Sequence, residues 1–439
     1  MNLLKQTLPL TLISSLRFLG LFIVMPTISV YALSLGASPL MVGLAVGGYA
    51  LTQILFQTSF GMLGDKFDKR YVIAIGLLIF ILGSLICAWS ESIYWLVAGR
   101  LIQGVGAIAS VITAFISDLT PEESRTKAMA VMGGGISMSF LIAMLIGPLI
   151  GGYFGLKILF FIAGFCSFLA LLLLIFKVPA PPKISHTFTA KEQYIHYLKD
   201  TNLWMMYLSS FLQKALINLG FVIIPLVLHQ DFDFSTSDLW KFYAPAGVLG
   251  IFAMAPASIF AEKYGYYKRV MIAGIVAFAL CFALFCYADY LKVLWIFVVG
   301  VLVFFIALDI HEPIMQSLAS KYPSSSQRSS ALGLFTSFGF LGSFVGALLG
   351  GVLYSHIGLF WLSLLTGGGC IAWILSLSVW LQNPKKLKTL FLYDTPLSPH
   401  LKNLNGVIDY YQTSSTLVIK YDPTLTSEEE IKSLSSSPS

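Results

Sequence analysis

Gly61-Met-Leu-Gly-Asp65-Lys66-Phe-Asp68-Lys69-Arg70 places five charged side chains in six consecutive positions, between two runs (39–63 and 71–89) that are almost free of charge. Each run is near the length a helix needs to cross roughly 30 Å of hydrocarbon. A polar turn this short between two such runs makes a hairpin of membrane helices, because in lipid every backbone group must find its partner inside its own segment. The rest of the chain repeats the pattern. Of 439 residues, 57% are hydrophobic and 11% charged, against about 25% charged in a soluble domain. No water-surrounded core hides that much apolar surface, so lipid is the solvent for most of this chain.

Reading outward from the hairpin gives twelve candidate spans, at 8–34, 39–63, 71–89, 93–117, 128–152, 156–178, 202–228, 239–261, 268–288, 293–320, 329–354 and 358–381. The expected fold class is all-α, with a small α+β domain after the last span. The first apolar run, Leu8 to Leu33, is too long for the core of a cleavable signal peptide and is interrupted by Arg17 and Pro26, so it reads as a span. Loops alternate in charge. One side carries Lys5, Lys66, Lys69, Arg70, Arg125, Lys127, Lys177, Lys183, Lys191, Lys199, Lys263, Lys268, Arg269, Lys321, Arg328, Lys385, Lys386 and Lys388, eighteen in all; the other carries only Lys157, Lys241 and Lys292. By the positive-inside rule the basic side is cytoplasmic and both termini lie there. The net charge of +6 is then a matter of topology and implies no nucleic-acid partner.

Residues 179–200, Pro-rich at the start and polar after it, divide the spans six and six. The domain reading is 1–178 for the first half, 179–200 for a cytoplasmic linker, 201–382 for the second half and 383–439 for the tail. The halves repeat. Asp65-Lys66 answers to Glu262-Lys263 at an offset of 197; Ala143, Gly147, Gly151 and Gly152 answer to Gly342, Gly346, Gly350 and Gly351 at 199. Two duplicated six-helix halves around a central path are the architecture of an alternating-access carrier. Cys87, Cys166, Cys281, Cys286 and Cys370 all fall in apolar segments, and none has metal-site spacing.

Three motifs resemble the signatures of the major facilitator superfamily. Gly61 to Arg70 is similar to its loop motif GxxxD(R/K)xGR(R/K), with Asp68 where the family prefers glycine. The resemblance implies that Gly61, Asp65, Lys66, Lys69 and Arg70 belong to a conformational latch, with Asp65 accepting from the open N–H groups of span eleven's first turn and Lys69 pairing with Asp118. Asp68 either weakens that latch or adds a pairing. Arg100-Leu-Ile-Gln103-Gly104-Val-Gly106-Ala107 resembles RxxQGxGA of span four, where Arg100 either faces the bundle interior or snorkels to an interface. Ala143 to Gly152 resembles the antiporter motif GxxxGPxxGG, in which Gly147, Gly151 and Gly152 allow close helix approach and Pro148 bends the helix. Asp118 to Val131, and Asp309-Ile-His-Glu312 where relatives carry Asn-x-x-Glu, narrow the resemblance to YajR-type transporters of the drug:proton antiporter branch.

Away from loops and helix ends, the spans hold Arg17, Arg100, Lys214, Asp309, His311 and Glu312. Ionisable groups at membrane depth are functional candidates by default. Asp309 and Glu312, three apart on one helix, are close enough to titrate as a pair, as a proton carrier requires. The resemblance favours Glu312 as the carrier, with Asp309 tuning it and His311 in a relay or simply packed. An ion pair with Lys214 or Arg17 that only holds helices together is the alternative, and substrate contact a third. The tail reads as strand 387–393, helix 398–404, strands 407–412 and 417–421, and helix 427–434 with a capping box from Ser427 to Glu430. It resembles a ferredoxin-like domain without its closing strand, and contains no cysteine for a thiolate metal site. It is either a docking point for a cytoplasmic regulator or a passive appendage.

The expected function is secondary transport in the cell inner membrane: proton-coupled efflux of small amphiphilic compounds by a monomer, with no cofactor beyond the proton gradient. No GxxxxGK[ST] occurs, which argues against ATP-driven pumping. Uptake of a nutrient, or a transporter-like sensor, are the alternatives. No catalytic constellation points to an enzyme.

Overall fold

The computed structural model describes residues 3–120, 122–178, 200–322, 328–384, 388–393, 404–412 and 416–436. Ten helical segments are long and apolar enough to cross a membrane. The longest, Ala331–Trp380, contains two spans folded back at Gly358, whose φ of 74° is open to glycine. The shorter apolar helix Thr7–Phe22 makes the twelfth. Spans two, three, five and six are Pro39–Lys66, Lys69–Ala88, Glu122–Phe154 and Lys157–Lys177. Spans seven to ten are Thr201–Gln230, Trp240–Glu262, Tyr267–Leu291 and Leu294–Lys321.

Two spans expected to be continuous are broken. Span one runs as Leu3–Phe22 and Ile28–Ser34, with turns between. Pro26 lacks the N–H that would bond Phe22, and Met25 bonds that carbonyl instead, at 3.0 Å. Span four runs as Ile93–Val105 and Ala109–Leu119, parted at Gly106. There the backbone crosses Gly76 too closely for a side chain.

The halves are joined at the face opposite the basic loops. Gly43 of span two lies so near span eleven that a Cβ would stand 2.7 Å from the Ala347 oxygen; Gly351 meets Pro39 and Gly152 meets Ser237 as tightly. The main apolar core joins both halves there and, within the second half, continues to the basic face through Leu203, Leu318 and Leu381. On the basic face a second core, including Leu10, Phe60, Val72, Ile112 and Phe115, draws only on the first half. Among the described residues the cores join the halves on one face and leave them separate on the other.

In the tail, β1 (Lys388–Tyr393) and β2 (Val407–Gln412) flank β3 (Thr416–Tyr421), both antiparallel to it, and the helix Glu428–Ser436 follows. The helix expected at 398–404 lies, apart from Leu404, outside the described residues. Half of the capping box forms: Ser427 Oγ accepts from Glu430 N at 3.2 Å, while the Glu430 carboxylate accepts from the Thr426 hydroxyl at 2.8 Å.

Candidate functional site

Glu312 sits about two-thirds of the way along span ten, opposite Lys214 of span seven. Lys214 Nζ donates to both carboxylate oxygens at 2.9 Å, and Gln213 Nε2 donates to Oε2 at 2.9 Å. Both helices are central, yet the side chains of Lys214 and Glu312 are 31% and 32% exposed. Lys214 also lies within the electrostatic range of Tyr49 in the first half.

Asp309, one turn away, faces a different helix. Its carboxylate lies over Gly250 of span eight, where a Cβ would collide with it. It makes no hydrogen bond or ion pair among the described residues, and Glu312 lies within its electrostatic range. The acids of span ten therefore diverge: three residues advance a helix by about 300°, leaving them some 60° apart.

His311 points away from these groups. It is fully buried between Phe278 and Trp373, with ring centroids 6.4 and 5.2 Å away, and neither ring nitrogen has a hydrogen-bond partner among the described residues. Its ring packs toward span nine's Gly274. Arg17 does not reach Glu312 either. It belongs to the first half, where Nη2 donates at 2.8 Å to the Gly106 carbonyl, which at the break in span four also accepts from Ile108 N at 3.0 Å.

Arg100 does not snorkel. It is fully buried, with Nε on Ala45 O at 3.0 Å, Nη1 on Gln103 Oε1 at 2.7 Å, Nη2 on Val46 O at 3.3 Å and the Tyr49 ring 4.8 Å away. Gln103 passes the contact on to Ser84 at 2.8 Å, and Gly104 lets span two's Tyr49 backbone come close. Gly147 packs on the Ile23 carbonyl in span one's turn, Gly151 on Leu156, and Pro148 lies within span five.

In the loop motif, Lys69 pairs with Asp118 at 2.9 Å. Asp68 adds a pairing: it caps span three by accepting from Arg70 N at 2.9 Å and holds the Arg70 guanidinium at 2.7 Å. That hydrogen bond from Arg70 keeps the Asp68 carboxyl below its ordinary range. Asp65 and Lys66 are exposed at the end of span two, and no cap from Asp65 to span eleven forms among the described residues. This fits a bundle divided on the basic face. Gly61 stands clear of tight contact.

Sequence reading missed the aromatic seam. Phe140 of span five meets Phe221 and Phe305 of the other half at 6.1 and 6.2 Å, and Tyr243 continues the cluster. It also passed over Gln53 and Gln57, four apart in span two, and Asn218, four after Lys214, all buried polar groups. Their i, i+4 spacing in apolar runs was the available clue.

This geometry is that of a membrane transporter, and the chain belongs to the Major Facilitator Superfamily, whose model matches residues 10–323 and 251–404. It is 34% identical to the inner membrane transport protein YajR of Escherichia coli over 79% of this chain and 77% of that protein. It is 25% identical to the class H tetracycline resistance protein of Pasteurella multocida, over 89% and 100%. A solved D-xylose–proton symporter shares the fold with a TM-score of 0.75 at 17% identity, over 87% of this chain and 99% of that one. These relatives are transporters, not enzymes.

Proposed function

We propose that the chain is a proton-coupled exporter of small amphiphilic compounds, set in a bacterial-type inner membrane with its basic face and both termini in the cytoplasm. The resistance proteins among its relatives support export, and the eighteen-to-three basic asymmetry supports the orientation. The proton gradient is the energy source. One proton entering down roughly 100 mV and about one pH unit supplies ~3.7 kcal/mol, enough for a several-hundred-fold gradient of a neutral solute.

The observation that carries the coupling is the unequal treatment of two neighbouring acids. Glu312 is held by Lys214 and Gln213, whereas Asp309 has no hydrogen-bond donor or ion-pair partner among the described residues. An ionised group at membrane depth costs about 2.5–3.5 kcal/mol on insertion scales, so the unpartnered acid is the one that binds and releases a proton. Asp309 takes the proton, and the Lys214–Glu312 pair lines the path beside it. Closure of the Asp65 latch on the basic face completes the alternation.

The test is proton movement in proteoliposomes, read by a trapped pH-sensitive dye as a panel of amphiphiles is added. Asp309→Asn is expected to abolish substrate-driven proton flux, and Glu312→Gln to weaken it while leaving some coupling. A normal proton signal from Asp309→Asn overturns the assignment.

A further inference from the structure

Span one carries a guanidinium that the proton mechanism leaves unused. Arg17 is 1% exposed, and Phe18 and Phe80 lie 5.7 and 5.2 Å from it. Among the described residues only Nη2 is bonded, to Gly106 O, and Nε and Nη1, which between them bear three N–H donors, have no hydrogen-bond partner there. Arg100, buried in the same half, shows the contrast: every one of its nitrogens has an acceptor. A purely structural arginine is satisfied, and Arg17 is not.

No acid is available to it. Among the described residues of the first six spans, acids lie only at helix ends, as Asp65 and Asp118 do. Glu312 is engaged by Lys214. Tyr49 sits in the electrostatic range of Arg17, Arg100 and Lys214 together, so three cations converge on one part of the interior. From Arg17 an unbroken run of rings leads to the centre: Phe18 to Phe22 at 5.5 Å, Phe22 to Phe140 at 5.3 Å, Phe140 to Phe305 at 6.2 Å. Phe305 lies one turn before Asp309.

We propose that Arg17 is the docking point for an acidic group on the transported compound, and that the substrate class is an amphiphilic anion: a carboxylate, sulfonate or phosphate on an apolar body. The acidic group meets the open donors, a charge-assisted contact that arginine makes well, and the apolar body lies along the phenylalanines. Arg17 is sealed in this conformation. The breaks at 23–27 and at Gly106, whose carbonyl holds Arg17, are where spans one and four flex to admit the anion. An anion leaving a negative-inside cell also moves with the membrane potential. The inference rests on the reading of the chain as a transporter with its path between the halves, not on the proton assignment.

The experiment is ligand-dependent thermal stability of the full chain in neutral detergent, without a pH gradient, using decanoate, decylamine and sodium chloride at constant ionic strength. Decanoate is expected to raise the unfolding temperature of the wild type. Arg17→Gln should weaken that response about tenfold in decanoate concentration, and Arg17→Lys, which keeps the charge and serves if the first variant does not fold, by a smaller factor. The decylamine response should not depend on Arg17. An unchanged decanoate response in both variants overturns the proposal, as does an Arg17-dependent response that chloride reproduces alone. Because no proton gradient is present, failure here leaves the Asp309 test standing, and the reverse.

Discussion

At the residue scale, what separates a framework charge from a working one is whether its partners are complete. Asp68 belongs to the framework. Its carboxylate occupies the position of the family's usual glycine and spends itself on Arg70 and on the first turn of span three. Asp68→Ala is expected to cost about 1 kcal/mol, as loss of an N-cap does. The folded state holds this carboxyl below its ordinary range, so its stabilisation is present above the unfolded carboxyl pKa and is lost as pH falls through the folded one. Thermal unfolding of the two proteins at neutral and acid pH checks it: the difference should shrink in acid, and a constant difference refutes it.

At the scale of elements, the glycines set which face is shut. Gly43 lets span two lie on the span-eleven backbone at Ala347, the position that answers to Pro148 in the repeat. Gly43→Val has nowhere to place its side chain without moving backbone, so the closed face should loosen. Labelling of Ser38→Cys by a membrane-impermeant maleimide should then speed up several-fold; labelling at the wild-type rate argues that the seam is not the gate. The opposite gate we propose is the latch. Asp65 is exposed and caps no helix end among the described residues, so the proposal assigns its closing role to the other conformation. Asp65→Asn should raise thiol accessibility on the basic face and slow turnover without affecting insertion. If neither changes, Asp65 contributes only to topology.

At the scale of the whole molecule, the tail has its own small core of Leu390, Leu417, Ile419, Tyr421 and Ile431, separate from the two cores of the spans. Removing residues 385–439 should therefore leave a membrane-inserted protein whose unfolding temperature in detergent is unchanged. Failure to insert would make the tail structural, and altered flux with normal insertion would make it regulatory.

The spans and their number were legible in the sequence because lipid imposes them locally: each segment must be apolar along its length and pair its own backbone. So were the Lys69–Asp118 pair and the tight glycines, which fixed motifs carry. Residue types within a span also exposed the candidates, since so few ionisable groups survive there. What the sequence left open was partnership. Glu312 took Lys214, His311 took an aromatic slot and Asp309 took none, and these outcomes depend on which neighbouring helix each side chain meets. A helical period shows that residues share a face, but not what packs against it. The breaks in spans one and four, the half-satisfied Arg17 and the closed face opposite the basic loops are likewise contacts between segments far apart in the chain, and only the assembled bundle decides them.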